Sequence, residues 1–287
     1  MTAMTPMGRT TSTAAPGGTP ALVVVAHGSR DPRALSTVRA LLDRVRALRP
    51  GLPVHLGHIE LNEPLLPDTL AALGDGAAVL APLLLSRGHH VKRDIPEMAA
   101  ASPARARVAA PLGPHPLLVD ALHDRLVQGG WPVHAGPDHA VVLASAGSRD
   151  PDSRTDTART AALLSARIGA PVVPAYASAA APTVPEAVRA LEARGYRNVA
   201  VASYFTAPGR FATECAAAAP WIASPPLGTH PAMARLLLHR YDQAMVKDGE
   251  TNAPEGARDA STCGSAAWAR PATTYAVLAR QQNPAHA

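Results

Sequence analysis

Cysteine and aromatic residues are scarce in this 287-residue chain, which has two cysteines and only 3% aromatic side chains. Cys215 and Cys263 form no CxxC pair and no cysteine–histidine zinc spacing, which argues against a disulfide framework and a thiolate-ligated cluster. The core must therefore be aliphatic. Because rings that could stack on bases are few, nucleic acid is not an expected partner.

Long apolar runs and dense charge are missing as well. No run of about 18 apolar residues occurs, so no membrane span is expected. The first twenty residues lack the apolar stretch of a secretory signal. The net charge of +5 indicates a mild preference for anionic partners, without the basic runs that bind nucleic acid. These absences predict a cytoplasmic protein with no membrane partner.

The chain contains one structural unit twice. Residues 23–32 read VVVAHGSRDP, and residues 141–151 read VVLASAGSRDP. In each copy the apolar run predicts a buried parallel strand. The Ser, Asp and Pro that follow predict the start of a helix. Strand and helix patterns then alternate through both copies, which predicts parallel sheets with right-handed crossovers.

The predicted fold class is α/β, with two tandem α/β/α domains that face each other across a cleft. Each domain is expected to hold a mostly parallel four-stranded sheet, over residues 20–130 and 138–246. Residues 1–19 and 247–287 are rich in small and polar residues without apolar periodicity, which predicts disordered tails. Ligands of such sheets bind beyond the carboxyl ends of the strands.

Aligned with each other, the two repeats keep their turns and differ at titratable positions. The pairs that differ are His27 and Ala146, His58 and Tyr176, Glu60 and Ser178, Glu63 and Ala181, His89 and Arg210, and His90 and Phe211. The simplest interpretation is a duplicated domain in which only the first copy carries the working site.

Two features recur in both repeats and are interpreted as structural. His115 and His230 occupy the same LGxHP turn, and Arg30 recurs as Arg149 within GSRDP. We therefore expect the histidines to support their turns and the arginines to take part in the bonding of their own loops.

Two motifs together resemble a known family. AHGSR at residues 26–30 and PLLLSRGHHVKRDIP at residues 82–96 resemble the pattern of the sirohydrochlorin chelatases, the small cobalt and iron chelatases of tetrapyrrole synthesis. The resemblance covers both repeats and corresponds to a long two-repeat form. It places the two family histidines at His27 and His90, and a carboxylate at Glu60. The second repeat departs from the pattern because it lacks both histidines.

The resemblance implies a chelatase that inserts Co²⁺ or Fe²⁺ into sirohydrochlorin, on the path to cobalamin or sirohaem. The metal is then a substrate, and no permanently bound cofactor is expected. His27 and His90 would hold the metal and accept protons, assisted by Glu60. Arg87, His89 and Lys92 would bind the carboxylates of the tetrapyrrole. A duplicated chain can form the cleft by itself, which favours a monomer.

The chemistry of these residues agrees with that expectation. Neutral imidazoles suit Co²⁺ and Fe²⁺ and leave coordination positions open, whereas four protein ligands would hold the ion too tightly for release. The pyrrole N–H groups must lose two protons, which an imidazole or carboxylate can accept as general base.

Other functions remain open at this point. A histidine phosphatase would need an arginine before the strand-end histidine, where this chain has Ala26. A metal carrier, or a protein that binds a tetrapyrrole as a sensor, would use the same two histidines without turnover. The physiological metal is also open, because ligand affinity alone would favour nickel or copper.

Overall fold

The computed structural model describes the backbone of residues 18–251 and the side chains of residues 18–246. The tails predicted at 1–19 and 247–287 lie outside the described residues, apart from Gly18, Thr19 and the end of the last helix. Across residues 18–251, no helix is both long and apolar enough to cross a bilayer.

Strands and helices alternate as the repeat pattern predicts. The first repeat comprises β1 (Ala21–Ala26), α1 (Pro32–Leu48), β2 (Val54–His58), α2 (Leu66–Ala72), β3 (Ala77–Pro82), a π-helical turn (His90–Asp94), α3 (Ile95–Ala100), β4 (Arg105–Val108) and α4 (Pro116–Gln128). The second comprises β5 (His139–Ser145), α5 (Pro151–Ile168), β6 (Val172–Tyr176), α6 (Val184–Glu192), β7 (Asn198–Ser203), α7 (Arg210–Ala217) and α8 (Pro231–Thr251).

Both sheets are parallel, as predicted, but they differ in size. The first has the order β2-β1-β3-β4, whereas the second has only β6-β5-β7. A single parallel bridge between Val201 and Ala223 stands where a fourth strand was expected. The next residues cannot extend the ladder, because Pro225 and Pro226 have no N–H to donate. The Ser224 hydroxyl instead accepts the N–H of Ser203 at 3.0 Å.

The two repeats share one hydrophobic core. Buried side chains of α1, α4, α5 and α8 form a single cluster with residues of both sheets, such as Leu22 and Val141. Helices α2 and α3 cover the other face of the first sheet, and α6 and α7 cover that of the second. Each sheet therefore has helices on both faces, as expected of parallel sheets.

The last helix of each repeat packs on the sheet of the other repeat. Helix α4 contacts β7, and α8 contacts β3. The Arg125 guanidinium donates to Leu227 O at 2.9 Å, and Arg240 donates to Leu112 O at 3.0 Å. The domain bounds of 20–130 and 138–246 stay a prediction about chain order. In three dimensions, α4 and α8 each pack on the sheet of the other repeat, and this exchange of helices connects the two repeats.

Candidate active site

His27 lies directly after the central strand β1, on a loop that only glycine can form. Gly28 has φ +103°, and a Cβ there would lie 1.9 Å from Glu60 O. The same close approach lets the Glu60 N–H donate to His27 O at 3.1 Å. As a result, the Glu60 carboxylate lies beside the imidazole, with 3.6 Å between His27 Nδ1 and Glu60 Oε1.

His90 reaches the same place from the neighbouring strand. It begins the π-helical turn that follows β3, and β3 pairs with β1. The rings of His27 and His90 meet edge to face, with 4.8 Å between their centroids and 84° between their planes. The two histidines and the carboxylate predicted from the sequence therefore lie together at the carboxyl edge of the first sheet.

Asp94, which was not among the predicted site residues, fixes the orientation of His90. Its Oδ2 lies 2.5 Å from His90 Nδ1, and its Oδ1 lies 3.3 Å from His89 Nε2. The π-helical turn places residues four and five positions apart on the same side, so both histidines flank one carboxylate. Because a carboxylate only accepts, Nδ1 of His90 carries the hydrogen of this contact, and in the neutral imidazole Nε2 keeps its lone pair. The four-residue spacing between His90 and Asp94 was the feature of the sequence that could have identified Asp94.

The site is open to solvent. The side chains of His27, His90 and Glu60 are 43%, 35% and 54% exposed. Among residues 18–251, no group of three or more His, Cys, Asp or Glu side chains is arranged to hold a metal ion.

Arg87 and Lys92 form ion pairs with the second repeat. Arg87 binds the buried Asp156 at 2.7 Å, and Lys92 binds Asp150 at 2.7 Å. These hydrogen bonds raise the pKa of both cations and, through Lys92, lower the pKa of Asp150. Their assignment to substrate carboxylates stays a prediction, and the geometry favours a joint between the repeats. His89, 75% exposed, is free to approach a bound ligand.

The second repeat has the same backbone arrangement without the chemistry. The Ser178 N–H donates to Ala146 O at 3.0 Å, as the Glu60 N–H does to His27 O. Cys215 stands where the first repeat has Asp94, and burial raises the pKa of its thiol to about 11. Of the two repeats, only the first therefore places two imidazoles and a carboxylate together at this loop.

The remaining candidate histidines have structural roles. His58 is buried, and its Nδ1 lies 3.1 Å from Pro64 O. Burial lowers its pKa. His115 and His230 cap their helices, because Nδ1 of each accepts a backbone N–H two residues later, at 3.1 and 3.2 Å. The structural interpretation of the repeated turn histidines is confirmed.

Comparison with known proteins identifies relatives of both repeats. The family model CbiX matches residues 21–129 and again residues 140–244. A sirohydrochlorin ferrochelatase of Bacillus subtilis is 32% identical over 182 residues, which cover 60% of this chain and 68% of that protein. A sirohydrochlorin cobaltochelatase of Methanococcus maripaludis is 36% identical over 81 residues, which cover 27% of this chain and 56% of that protein.

The solved structure of SirB from Bacillus subtilis with Fe³⁺ has a similar fold. Its TM-score is 0.66 at 26% sequence identity, and the match covers 80% of this chain and 98% of that chain. The family match is internal evidence of the duplication as well, since the same family is found once in each repeat. The chain therefore belongs to the CbiX family of sirohydrochlorin chelatases, in its long two-repeat form.

Proposed function

We propose that this protein inserts Co²⁺ or Fe²⁺ into sirohydrochlorin. One observation carries the proposal: His27 and His90 meet at 4.8 Å between ring centroids, with the Glu60 carboxylate 3.6 Å from His27. Relatives named for cobalt insertion and for iron insertion support the reaction class.

The two imidazoles supply the metal-binding step. Imidazole nitrogen is a suitable ligand for either ion, and the second-repeat positions offer no further ligand, since Ala146 and Phe211 replace the histidines. The ion thus keeps open positions for the four nitrogens of the macrocycle. Asp94 keeps the lone pair of His90 directed away from its own carboxylate.

The reaction also releases two protons. As the ion enters, two pyrrole N–H bonds break, and their electron pairs form bonds to the metal. Once the ion has passed to the macrocycle, the freed His27 imidazole can accept one proton, and the Glu60 carboxylate, 3.6 Å from His27, can accept the other. Since Glu60 is half exposed, the carboxylate can exchange that proton with water between turnovers.

A metal or tetrapyrrole carrier is the second candidate, because the same two histidines would serve it. The two functions differ in turnover. We expect one protein chain to metallate many equivalents of sirohydrochlorin under anaerobic conditions, followed by absorbance with Co²⁺ and Fe²⁺ in parallel. Conversion that stops at one equivalent, or that never exceeds the protein-free rate, would identify a carrier. The ion inserted faster would then be the preferred metal.

The cytoplasmic location and the monomeric state stay predictions. A monomer agrees with the exchange of α4 and α8 within one chain, through which the repeats pack together.

A further inference from the structure

The motif GSRDP is kept in both repeats, although the histidines near it, His27 and His90, are replaced in the second repeat. The structure accounts for its glycines first. Gly28 and Gly147 have φ +103° and +90°, and a Cβ on either would lie within 2 Å of a carbonyl oxygen, at 1.9 and 1.8 Å. Any larger residue would push the loop away from the segment that follows the neighbouring strand, at Glu60 in one repeat and Ser178 in the other, so both glycines are required by the fold.

The serines, aspartates and prolines of the motif are accounted for in the same way. The Ser29 and Ser148 hydroxyls each accept the N–H of the aspartate two residues later, at 3.1 Å in both cases. Asp31 and Asp150 are the N-caps of α1 and α5, and a proline occupies the first turn of each helix. Four of the five residues in each copy therefore build the loop.

The arginines are the exception. Arg30 and Arg149 are both exposed, and neither has a hydrogen bond, ion pair or ring contact with any residue of the described range 18–251. The expectation that they take part in their own loop's bonding is therefore wrong. Because this arginine is present in both copies and has no partner among the described residues, we expect it to bind a ligand from outside the chain.

Both loops lie at the junction of the two repeats. Arg30 lines a groove of about 550 Å³ together with Ser29, Asp31, and the second-repeat residues Arg210, Thr213 and Glu214. Ser148, which precedes Arg149, lies opposite Gly88, since a Cβ there would be 3.7 Å from its hydroxyl oxygen. Gly88 in turn precedes His89 and His90. The two arginines thus lie on equivalent loops of the two repeats, and each loop borders the junction between the repeats.

We propose that Arg30 and Arg149 bind carboxylates on opposite parts of the tetrapyrrole rim. This inference rests on the proposed function. Sirohydrochlorin carries eight carboxylates around its periphery, and a guanidinium presents paired donors that match a carboxylate. A ligand with acidic groups all around it contacts both repeats, so both arginines remain useful when the metal chemistry is confined to one repeat.

The alternative is that these arginines only solvate the surface. That alternative is tested against exposed arginines on α1 and α5, the helices that directly follow the two loops. Arg39 on α1 and Arg159 on α5 are exposed, and neither forms a hydrogen bond, ion pair or ring contact within the described residues. The double variants Arg30→Ala/Arg149→Ala and Arg39→Ala/Arg159→Ala therefore each remove two positive charges. The first pair lies on the two loops, and the second pair lies on the helices that follow them.

The experiment measures binding of metal-free sirohydrochlorin by fluorescence titration, in low and in high salt, with the full chain. We expect Arg30→Ala/Arg149→Ala to weaken binding at low salt by about fivefold for each arginine. Binding by the control double variant Arg39→Ala/Arg159→Ala should change by less than about twofold. High salt should reduce the difference between the two double variants, because exposed charges are screened.

A second ligand separates carboxylate binding from general effects on the loop. Protoporphyrin IX has a similar macrocycle with only two carboxylates, so Arg30→Ala/Arg149→Ala should lose less affinity for it than for sirohydrochlorin, each relative to the control double variant. Equal binding of sirohydrochlorin by both double variants, in a parent protein that binds and metallates it, overturns the inference alone. A parent protein that does not bind sirohydrochlorin overturns the proposed function, and the inference with it.

Discussion

The imidazoles of His27 and His90 meet edge to face at the ends of two adjacent strands, with 4.8 Å between their centroids. At that separation, one ion can bond to a nitrogen of each ring at about 2 Å. Strand β1 lies between β2 and β3, so the loops that carry Glu60 and His90 converge on His27. The order of the strands in the sheet therefore brings these three side chains together.

Loss of the Asp94 carboxylate should weaken metal binding without changing the affinity for the tetrapyrrole. Its Oδ2 lies 2.5 Å from His90 Nδ1 and holds that ring in place. We expect Asp94→Ala to lower Co²⁺ affinity and kcat/KM by about 10- to 100-fold, as for other carboxylates bonded to a metal-binding histidine. Asp94→Asn, which keeps an acceptor oxygen, should lose less. Isothermal titration with Co²⁺ and insertion kinetics measure both quantities.

The matched control for that variant is Asp124→Ala. Asp124 also contacts a histidine, with 3.1 Å between its Oδ2 and His230 Nε2, but it is on α4 and not at the site. Unchanged Co²⁺ affinity in Asp94→Ala, or an equal loss in Asp124→Ala, would show that Asp94 does not position His90.

Removal of Arg87 should destabilise the joint between the repeats. Asp156 is only 3% exposed and accepts from both the backbone N–H and the guanidinium of Arg87. Arg87→Ala leaves that carboxylate buried with the backbone bond alone, at a cost of about 2 kcal/mol in the free energy of unfolding. Urea unfolding measures the change. If Arg87→Ala lowers the free energy of unfolding no more than the exposed Arg39→Ala does, the Arg87–Asp156 pair does not contribute to stability.

Acid should destabilise the protein through His115. Burial, with smaller contributions from Arg240 and His239, lowers its pKa from 6.5 to about 4. Between those values the unfolded chain binds a proton that the folded chain does not, so stability is complete above pH 6.5 and falls toward pH 4.

The variant His115→Asn isolates that contribution, because asparagine keeps an N-cap acceptor for the Leu117 N–H but does not titrate. The loss of unfolding free energy between pH 6.5 and 4 should be smaller in this variant by about 1 kcal/mol, given the partial exposure of the ring. The exposed His134→Asn serves as control. An identical pH dependence in parent and His115→Asn would contradict the prediction.

The sequence predicted the parts of this structure that depend on local pattern. Apolar runs marked the parallel strands, and the loss of histidines in the second repeat led to the prediction, still to be tested, that the first repeat carries the site. His27, Glu60 and His90 converge because strand ends meet at one edge of a sheet, which follows from the alternation of strands and helices. The family resemblance was confirmed by matches in both repeats.

Features that depend on contacts between the repeats could not be predicted in this way. The partners of Arg87 are about seventy residues distant in sequence, with Asp156 on another repeat. The exchange of α4 and α8 is a matter of packing that no local pattern records. The fourth strand of the second sheet was expected by analogy with the first, and Pro225 and Pro226 prevent it.

The most direct test of the account is the rate of Co²⁺ and Fe²⁺ insertion into sirohydrochlorin by the parent protein, His27→Ala and His90→Ala. The exposed His134→Ala is the control for loss of an imidazole elsewhere. The account predicts that each site variant loses at least about a hundredfold in rate while it unfolds at the same temperature as the parent, and that His134→Ala keeps the parent rate. Insertion at the parent rate by both site variants would contradict it.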